Sequence, residues 1–392
     1  LFAAYSRVFE KLAVRRIYLD YNATTPVAPS VVEAMQPYFT VHYGNPSSTH
    51  SMGRAASEAI ADARSAVARL LGCDSEEICF TSGGTESNNL ALKGVLLKSP
   101  PSAGGHLVIS ALEHPATTSP ARFLERLGYE VSVVPCDSQG VVHPEEVEKV
   151  LQRNTRLVSV MHANNEVGTI QPIREIAEIC HSRGVLVHTD ASQSVGKISA
   201  LVHQLDVDLM TIAGHKMYGP KGVGALYVRE GLDLEPVLHG SEHEHGLRAG
   251  TENTPYIVGL GQAAMLVGKA LEESAERLAF LRDHMQSLLL AGIPGLKVNG
   301  LQAARLPNTL NVTFPKASAQ MILKRLPELC VSTGSACSSH STNPSPTLSA
   351  MGLGTMAIRC SIRLSVGWQT SQEDVEQAAA SLIDAWENVR QP

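Results

Sequence analysis

The sequence predicts an α/β protein: one large, mostly parallel sheet domain joined to a smaller α+β domain. Three observations predict it. Between residues 77 and 228, short runs rich in Val, Ile and Leu alternate with stretches of helical periodicity, the pattern of a sheet covered on both faces. From residue 254 to about 290 the chain reads as one very long helical region, of a length that links a large domain to a small one. After it, strands and helices follow without regular alternation. We therefore expect a large domain over 17–255 and a small domain over 256–392, with residues 1–16 as an N-terminal arm packed with the latter. At 392 residues there is ample chain for buried cores of this kind.

In order, 17–20 reads as a short strand and Tyr21-Asn22-Ala23-Thr24-Thr25-Pro26 as a polar turn. Pro29 opens a helical stretch to about 39, because proline suits a first helical turn. Tyr43 to Ser48 is a loop rich in hydrogen-bonding residues. Residues 51–71 form a long alanine-rich helix stopped by Gly72. A buried strand at 77–80 leads into Thr81-Ser82-Gly83-Gly84-Thr85-Glu86 and then a helix through Val95. Strands follow at 106–111, 130–134, 156–162, 185–189, 209–213 and 223–228, with helices at 121–127, 144–151 and 172–181. A connector rich in glycine and histidine covers 232–253. The C-terminal part gives strands at 309–314, 329–332 and 361–365, and helices at 319–326, 346–351 and 372–388.

Composition closes several routes. A net charge of -6 argues against non-specific nucleic-acid binding, which wants a basic face. No apolar run reaches the roughly 18 residues of a membrane span. The seven cysteines are odd in number and contain no CxxC pair, so neither a disulfide framework nor a metal site is expected, and a reducing compartment such as the cytoplasm is favoured. Residues 1–16 mix apolar and basic side chains. An ordinary amphipathic arm and an organelle-targeting segment (mitochondrial or other) are both open readings of that pattern.

In a parallel α/β sheet, ligands sit beyond the carboxyl ends of the strands. The polar residues of this chain gather there: Glu113-His114, Ala163-Asn164-Asn165-Glu166, Asp190-Ala191-Ser192-Gln193 and His215-Lys216. The turn at 81–86 presents free N–H groups and the positive end of a helix dipole, which is a seat for phosphate. It lacks the lysine and glycine spacing of a nucleotide P-loop and the Rossmann pattern. A lysine at a strand edge can form a Schiff base with an aldehyde cofactor, and pyridoxal 5'-phosphate needs three further partners. Asp190 is the carboxylate for the pyridine nitrogen. Gly84, Thr85 and His215 are candidates for the phosphate, and His114 for the aromatic face over the ring. Asn165 and Gln193 are placed to reach the phenolic oxygen. Cys337, in the polar loop 332–340, suits a mobile thiolate, and Arg363 suits a bidentate clamp on an amino-acid carboxylate.

The segments TSGGTESNNLA, MHANNEVGT, HTDASQSVGK, GHKMYGPKG, RAGTENTP, STGSACSS and SIRLSVG resemble, together and in order, the cysteine desulfurase family, in its NifS/IscS-like branch. The resemblance runs from about Ile17 onward. It implies the PLP-dependent transferase fold (aspartate aminotransferase-like, type I) and a homodimer. It also implies conversion of L-cysteine to L-alanine, with sulfur left as an enzyme persulfide for an acceptor or iron–sulfur scaffold protein. By the same resemblance Lys216 is the covalent lysine, Asp190 the pyridine partner and His114 the stacking and proton-transfer residue. Asn165 and Gln193 are ring contacts, and His215 and Thr85 phosphate contacts. Thr251 is a phosphate contact given across the dimer, Arg363 with Asn45 the substrate clamp, and Cys337 the sulfur acceptor.

Three departures stand out. Ala213 replaces a serine that many members use for the phosphate. The run before RAGT, His239 to His245, carries more charge than usual. Trp368 takes the place of an arginine after SVG. Asn343-Pro344-Ser345-Pro346 and the TENTP segment are similar to selenocysteine lyases, so a lyase acting on carbon–selenium bonds is an alternative. A non-catalytic structural or interaction subunit is another, and a plain aminotransferase or decarboxylase would not need Cys337.

Overall fold

A computed structural model describes residues 16–333 and 345–390. Its strands in chain order are β1 (Ile17–Tyr18), β2 (Ile78–Thr81), β3 (His106–Ser110), β4 (Glu130–Val134), β5 (Thr155–Ser159) and β6 (Leu186–Asp190), followed by β7 (Leu209–Ala213), β8 (Gly224–Val228), β9 (Lys297–Val298), β10 (Thr309–Thr313), β11 (Leu329–Cys330) and β12 (Ser361–Ser365). Seven of them form one sheet in the order β2-β8-β7-β6-β5-β3-β4. Every pairing is parallel except the two made by β8 with β2 and β7. The mostly parallel sheet is therefore present, with one strand reversed inside it.

Alternation along the strands explains why both faces are covered. Val108, Val158, Val187, Met210 and Ile212 pack into one core, while Leu107, Ile109, Leu157, Leu209 and Leu226 pack into another on the opposite face. Such side chains contribute roughly 1.5–3 kcal/mol each on leaving water. The second of these cores is covered by Leu90 and Leu92 of α2 (Gly84–Leu96) and Leu124 of α3 (Pro115–Arg126). The first is covered in part by α1 (Ser51–Leu71), which precedes them. His50 caps α1 by accepting from the Gly53 N–H, and Gly72, at φ 68°, ends it in the left-handed conformation that glycine takes without strain. Behind the sheet lie α4 (Ile173–His181) and, against α1, α5 (Thr254–Lys269). The α1–α5 approach depends on Gly261, whose Cβ would stand 2.6 Å from the Ala63 Cα.

A further core belongs to α6 (Leu271–Gly292), α7 (Gln372–Val389) and the three-stranded sheet β12-β10-β9. Ile17 and Leu19 pack into it, and β1 lies parallel to β11. Residues 254–290, expected as one helix, are two that meet at Ala270. Ile257, Leu260, Ala264 and Val267 of α5 stay with the sheet, and Leu278, Leu281 and Met285 of α6 go to the smaller body. Ile17 and Leu19 pack with the α6 and α7 core. Two other elements differ from expectation. The stretch 29–39 is broken at Gln36, before Pro37, and the helix expected at 121–127 starts at Pro115 and carries Pro120 inside it. Trp368 ties the bodies together: it stacks on Tyr218 at 3.9 Å and 14°, and its indole N–H donates to Ser274 at 2.7 Å.

Candidate active site

Four neighbouring strands, β7, β6, β5 and β3, end on one edge of the sheet, and β2 reaches the same edge through β8. Beyond that edge is a cleft of ≈ 230 Å³ lined by Gly84, Thr85, His114, Asn165, Asp190, Ser192, Gln193, Ala213, His215, Lys216 and Arg363, with Asn22 and Ala23. Nine of the predicted site residues are thus brought together (Gly84, Thr85, His114, Asn165, Asp190, Gln193, His215, Lys216 and Arg363).

Lys216 closes the short 3-10 turn that follows β7, and its Nζ donates to the carbonyl oxygens of Asn22 at 2.6 Å and Ala23 at 2.8 Å. Asp190 is the last residue of β6, opposite Thr211 in the register, so lysine and carboxylate come from adjacent strands. The Asp190 carboxylate is 8 % exposed. It accepts from the Asn88 side-chain amide at 2.7 Å and from the Ser192 N–H at 2.9 Å. Asn88 stands one helical turn beyond Gly84 on α2, which puts it on the face that looks into the cleft. The sequence reading missed it; the spacing of four from the glycine turn was the available signal.

His114 caps α3, and its Nδ1 accepts from the Ala116 N–H at 3.1 Å. A backbone N–H can only donate, so a neutral ring carries its proton on Nε2. Burial lowers the imidazole pKa and the nearby Lys216 lowers it further, against the opposing pull of Asp190. The positive end of α3 acts in the same direction as burial. His215, whose Nδ1 lies 3.2 Å from the Thr24 hydroxyl, is pushed down to about 4 by burial and by Lys216, Lys221 and Lys197. Both shifts favour the neutral ring.

At the start of α2 the backbone of Gly83 and Gly84 forms a cradle with no side chain of its own. A Cβ on Gly84 would stand 3.1 Å from the Ser192 hydroxyl and 3.4 Å from the Ala213 Cβ. Thr211 does not stand in for the missing 213 hydroxyl, because its own hydroxyl pairs with His188 at 3.0 Å. Arg363 is 1 % exposed; it donates to Asp20 at 2.6 Å and to the Asn165 carbonyl at 3.0 Å, and its buried Nε has no partner among the described residues. The cleft therefore offers an amine, a carboxylate, two imidazoles whose neutral forms are favoured, a side-chain-free cradle at a helix start and a guanidinium with a buried N–H to spare. That donor set fits pyridoxal 5'-phosphate.

Two predicted residues are not in the cleft. Asn45 is in an exposed loop, where its side chain accepts from the Ser47 N–H, and Thr251 is exposed on the connector before α5. Cys337 lies outside the described residues. Of the described cysteines, burial pushes the Cys73 and Cys180 thiols up to about 12 and Cys136 to about 11, which leaves them packing groups. The connector is held down by Glu244, whose carboxylate accepts from Arg64 at 2.7 and 2.8 Å and from the Phe80 N–H at 2.7 Å.

Over residues 17–378 the chain matches the family described as aminotransferase class-V. It is similar to the cysteine desulfurase IscS of Dictyoglomus turgidum, at 45% identity over 363 residues that span 92% of each protein. Among solved structures it is similar to a NifS-like protein, with TM-score 0.89 and 37% identity over 95% of this chain and 100% of the other. It is also similar to SspA in complex with cysteine, with TM-score 0.80 and 37% identity over 89% and 98%.

Proposed function

This chain belongs to the aminotransferase class-V family, and we propose that it is a pyridoxal-phosphate-dependent cysteine desulfurase converting L-cysteine to L-alanine and passing the sulfur to an acceptor protein. The observation that carries the reading is the convergence of Lys216, Asp190 and His114 on one cleft from adjacent strand ends. Pyridoxal 5'-phosphate, when bound, supplies an aldehyde for amines and a ring that draws electrons from the substrate Cα.

The chain's own residues have separable tasks. Lys216 is the covalent anchor and, once its amine is released, the base that moves the Cα proton. Asp190, fixed by Asn88 and Ser192, keeps a proton on the pyridine nitrogen. His114 donates through Nε2, because Nδ1 is engaged by Ala116. Thr85, the Gly84 N–H and His215 hold phosphate, Asn165 and Gln193 contact the ring, and Arg363 binds the substrate carboxylate. Cys337 takes the sulfur; its motif and the similar proteins support that role. A homodimer would bring Thr251, and Asn45 beside the substrate, to the neighbouring cleft. The exposed apolar side chains Val32, Phe39, Val41 and Tyr43, gathered within residues 32–43, support such an interface.

The test is turnover of L-cysteine by the purified chain, with alanine, sulfide and protein persulfide measured together and L-selenocysteine run in parallel. Alanine with persulfide on Cys337 is expected, and Cys337→Ser retains the cofactor but loses the persulfide. Turnover of selenocysteine with negligible turnover of cysteine would overturn the substrate. Full cysteine turnover by Cys337→Ser would overturn the role of the thiol.

A further inference from the structure

Lys197 is a buried cation-forming group to which the chemistry above gives no task. It is 7 % exposed, and its Nζ donates to two oxygens of a single residue, the Gln193 carbonyl at 3.0 Å and the Gln193 Oε1 at 2.9 Å. The charged groups that act on it, Lys216 and Arg363, are both cationic, and with burial they hold its pKa down to about 7. A buried lysine without a carboxylate is costly, and an oxygen acceptor is the least it requires.

That requirement fixes the neighbouring amide. An isolated glutamine side chain exchanges its oxygen and nitrogen ends at little cost. Here Oε1 faces Lys197 and Nε2 donates to the Asn22 carbonyl at 3.0 Å, on the side of the cleft. Flipping the amide would set Oε1 against the Asn22 carbonyl, acceptor on acceptor, and, with the lysine protonated, Nε2 against Nζ, donor on donor.

We infer that Lys197 is a positioning residue that locks Gln193 as a hydrogen-bond donor toward the cleft, so that the ligand atom met there is an acceptor, an anionic ring oxygen. The inference rests on the cofactor reading above and extends it to a residue that touches neither substrate nor cofactor.

Two probes separate the inference from that reading: pyridoxal 5'-phosphate and its 3-deoxy analogue, which lacks the ring oxygen. Their dissociation constants are measured by fluorescence on the full-length chain freed of cofactor, for wild type, Lys197→Met and Gln193→Glu. Circular dichroism monitors the fold. Wild type binds the natural cofactor more tightly than the analogue. Lys197→Met loses about tenfold for the natural cofactor, the scale of one hydrogen bond to a charged acceptor, and nothing for the analogue. Gln193→Glu keeps an oxygen for Lys197, so the fold is retained if Lys197→Met unfolds. It offers the ring oxygen an acceptor and loses at least as much, again only for the natural cofactor. Equal losses on both probes, or unchanged affinity in either variant, overturn the inference. Failure of wild type to bind either probe overturns the cofactor reading itself.

Discussion

Replacing Glu244 by alanine removes an acceptor from three donors at once. The Glu244 side chain is 2 % exposed and that of Arg64 is 14 %, and their two hydrogen bonds are a planar, bidentate pair. Without the carboxylate, Arg64 keeps only the Ile78 carbonyl among these partners, and the buried Phe80 N–H on β2 has none. Breaking such a pair by removing one partner costs about 3–5 kcal/mol. For a chain of this length, at about 2.1 cal/mol/K per residue, the unfolding entropy is roughly 0.8 kcal/mol/K, so Tm falls by about 4–6 °C. Differential scanning calorimetry measures it. The control is the double variant Arg64→Met with Glu244→Leu, which removes the orphaned charge and recovers most of the loss. A drop below about 1 °C in the single variant, or a double variant no better than the single, would refute the reasoning. Glu244 and His245 both lie at positive φ, 49° and 58°, so the same pair also holds a strained segment in place.

Three further outcomes follow from groups near the cleft. Burial pushes the Glu113 carboxyl up to about 8 from an ordinary value of 4.5, so between those values the unfolded chain releases a proton that the folded chain keeps. Stability therefore falls as pH rises through that window, and Glu113→Gln gains on wild type from pH 5 to pH 8 in urea midpoints; a constant difference would contradict it. Asn88→Ala removes the 2.7 Å donor to Asp190 and should weaken cofactor affinity about tenfold in equilibrium dialysis, and unchanged affinity would separate Asn88 from the site. Burial holds the His162 and His188 imidazoles down to about 4, so their contribution to stability is present above pH 6.5 and lost as pH falls toward 4. His162→Gln should lose less stability than wild type between pH 7 and pH 5, and an equal loss would refute the depressed value.

The parallel sheet was legible because its strands are buried on both faces and read as mainly apolar runs, unbroken in Leu107–Ile109 and interrupted only by Thr211 in Leu209–Ile212. The residues at their ends were legible for the same reason, since polar side chains stand out where such runs stop. What escaped were partners whose role is set by tertiary placement. Asn88 looks like any helix polar residue, and Lys197 like a surface lysine after a turn. The Asn22 and Ala23 carbonyls have no side-chain signature at all. The start of α3 escaped because Pro120 inside the helix hides a boundary that Pro115 and the His114 cap in fact set. The break at Ala270 escaped because helical periodicity continues through it while the buried face changes bodies.

Asn22 bridges the two bodies at the cleft. Its side chain is clasped by Asn308 and Thr309 of the smaller body and its N–H by the Ser365 hydroxyl, while its carbonyl oxygen receives Lys216 and Gln193 from the larger. A rotation of the smaller body about Ala270 would pull on the oxygen against which the lysine amine rests. A single peptide unit thus joins the placement of the smaller body to the seat of that amine.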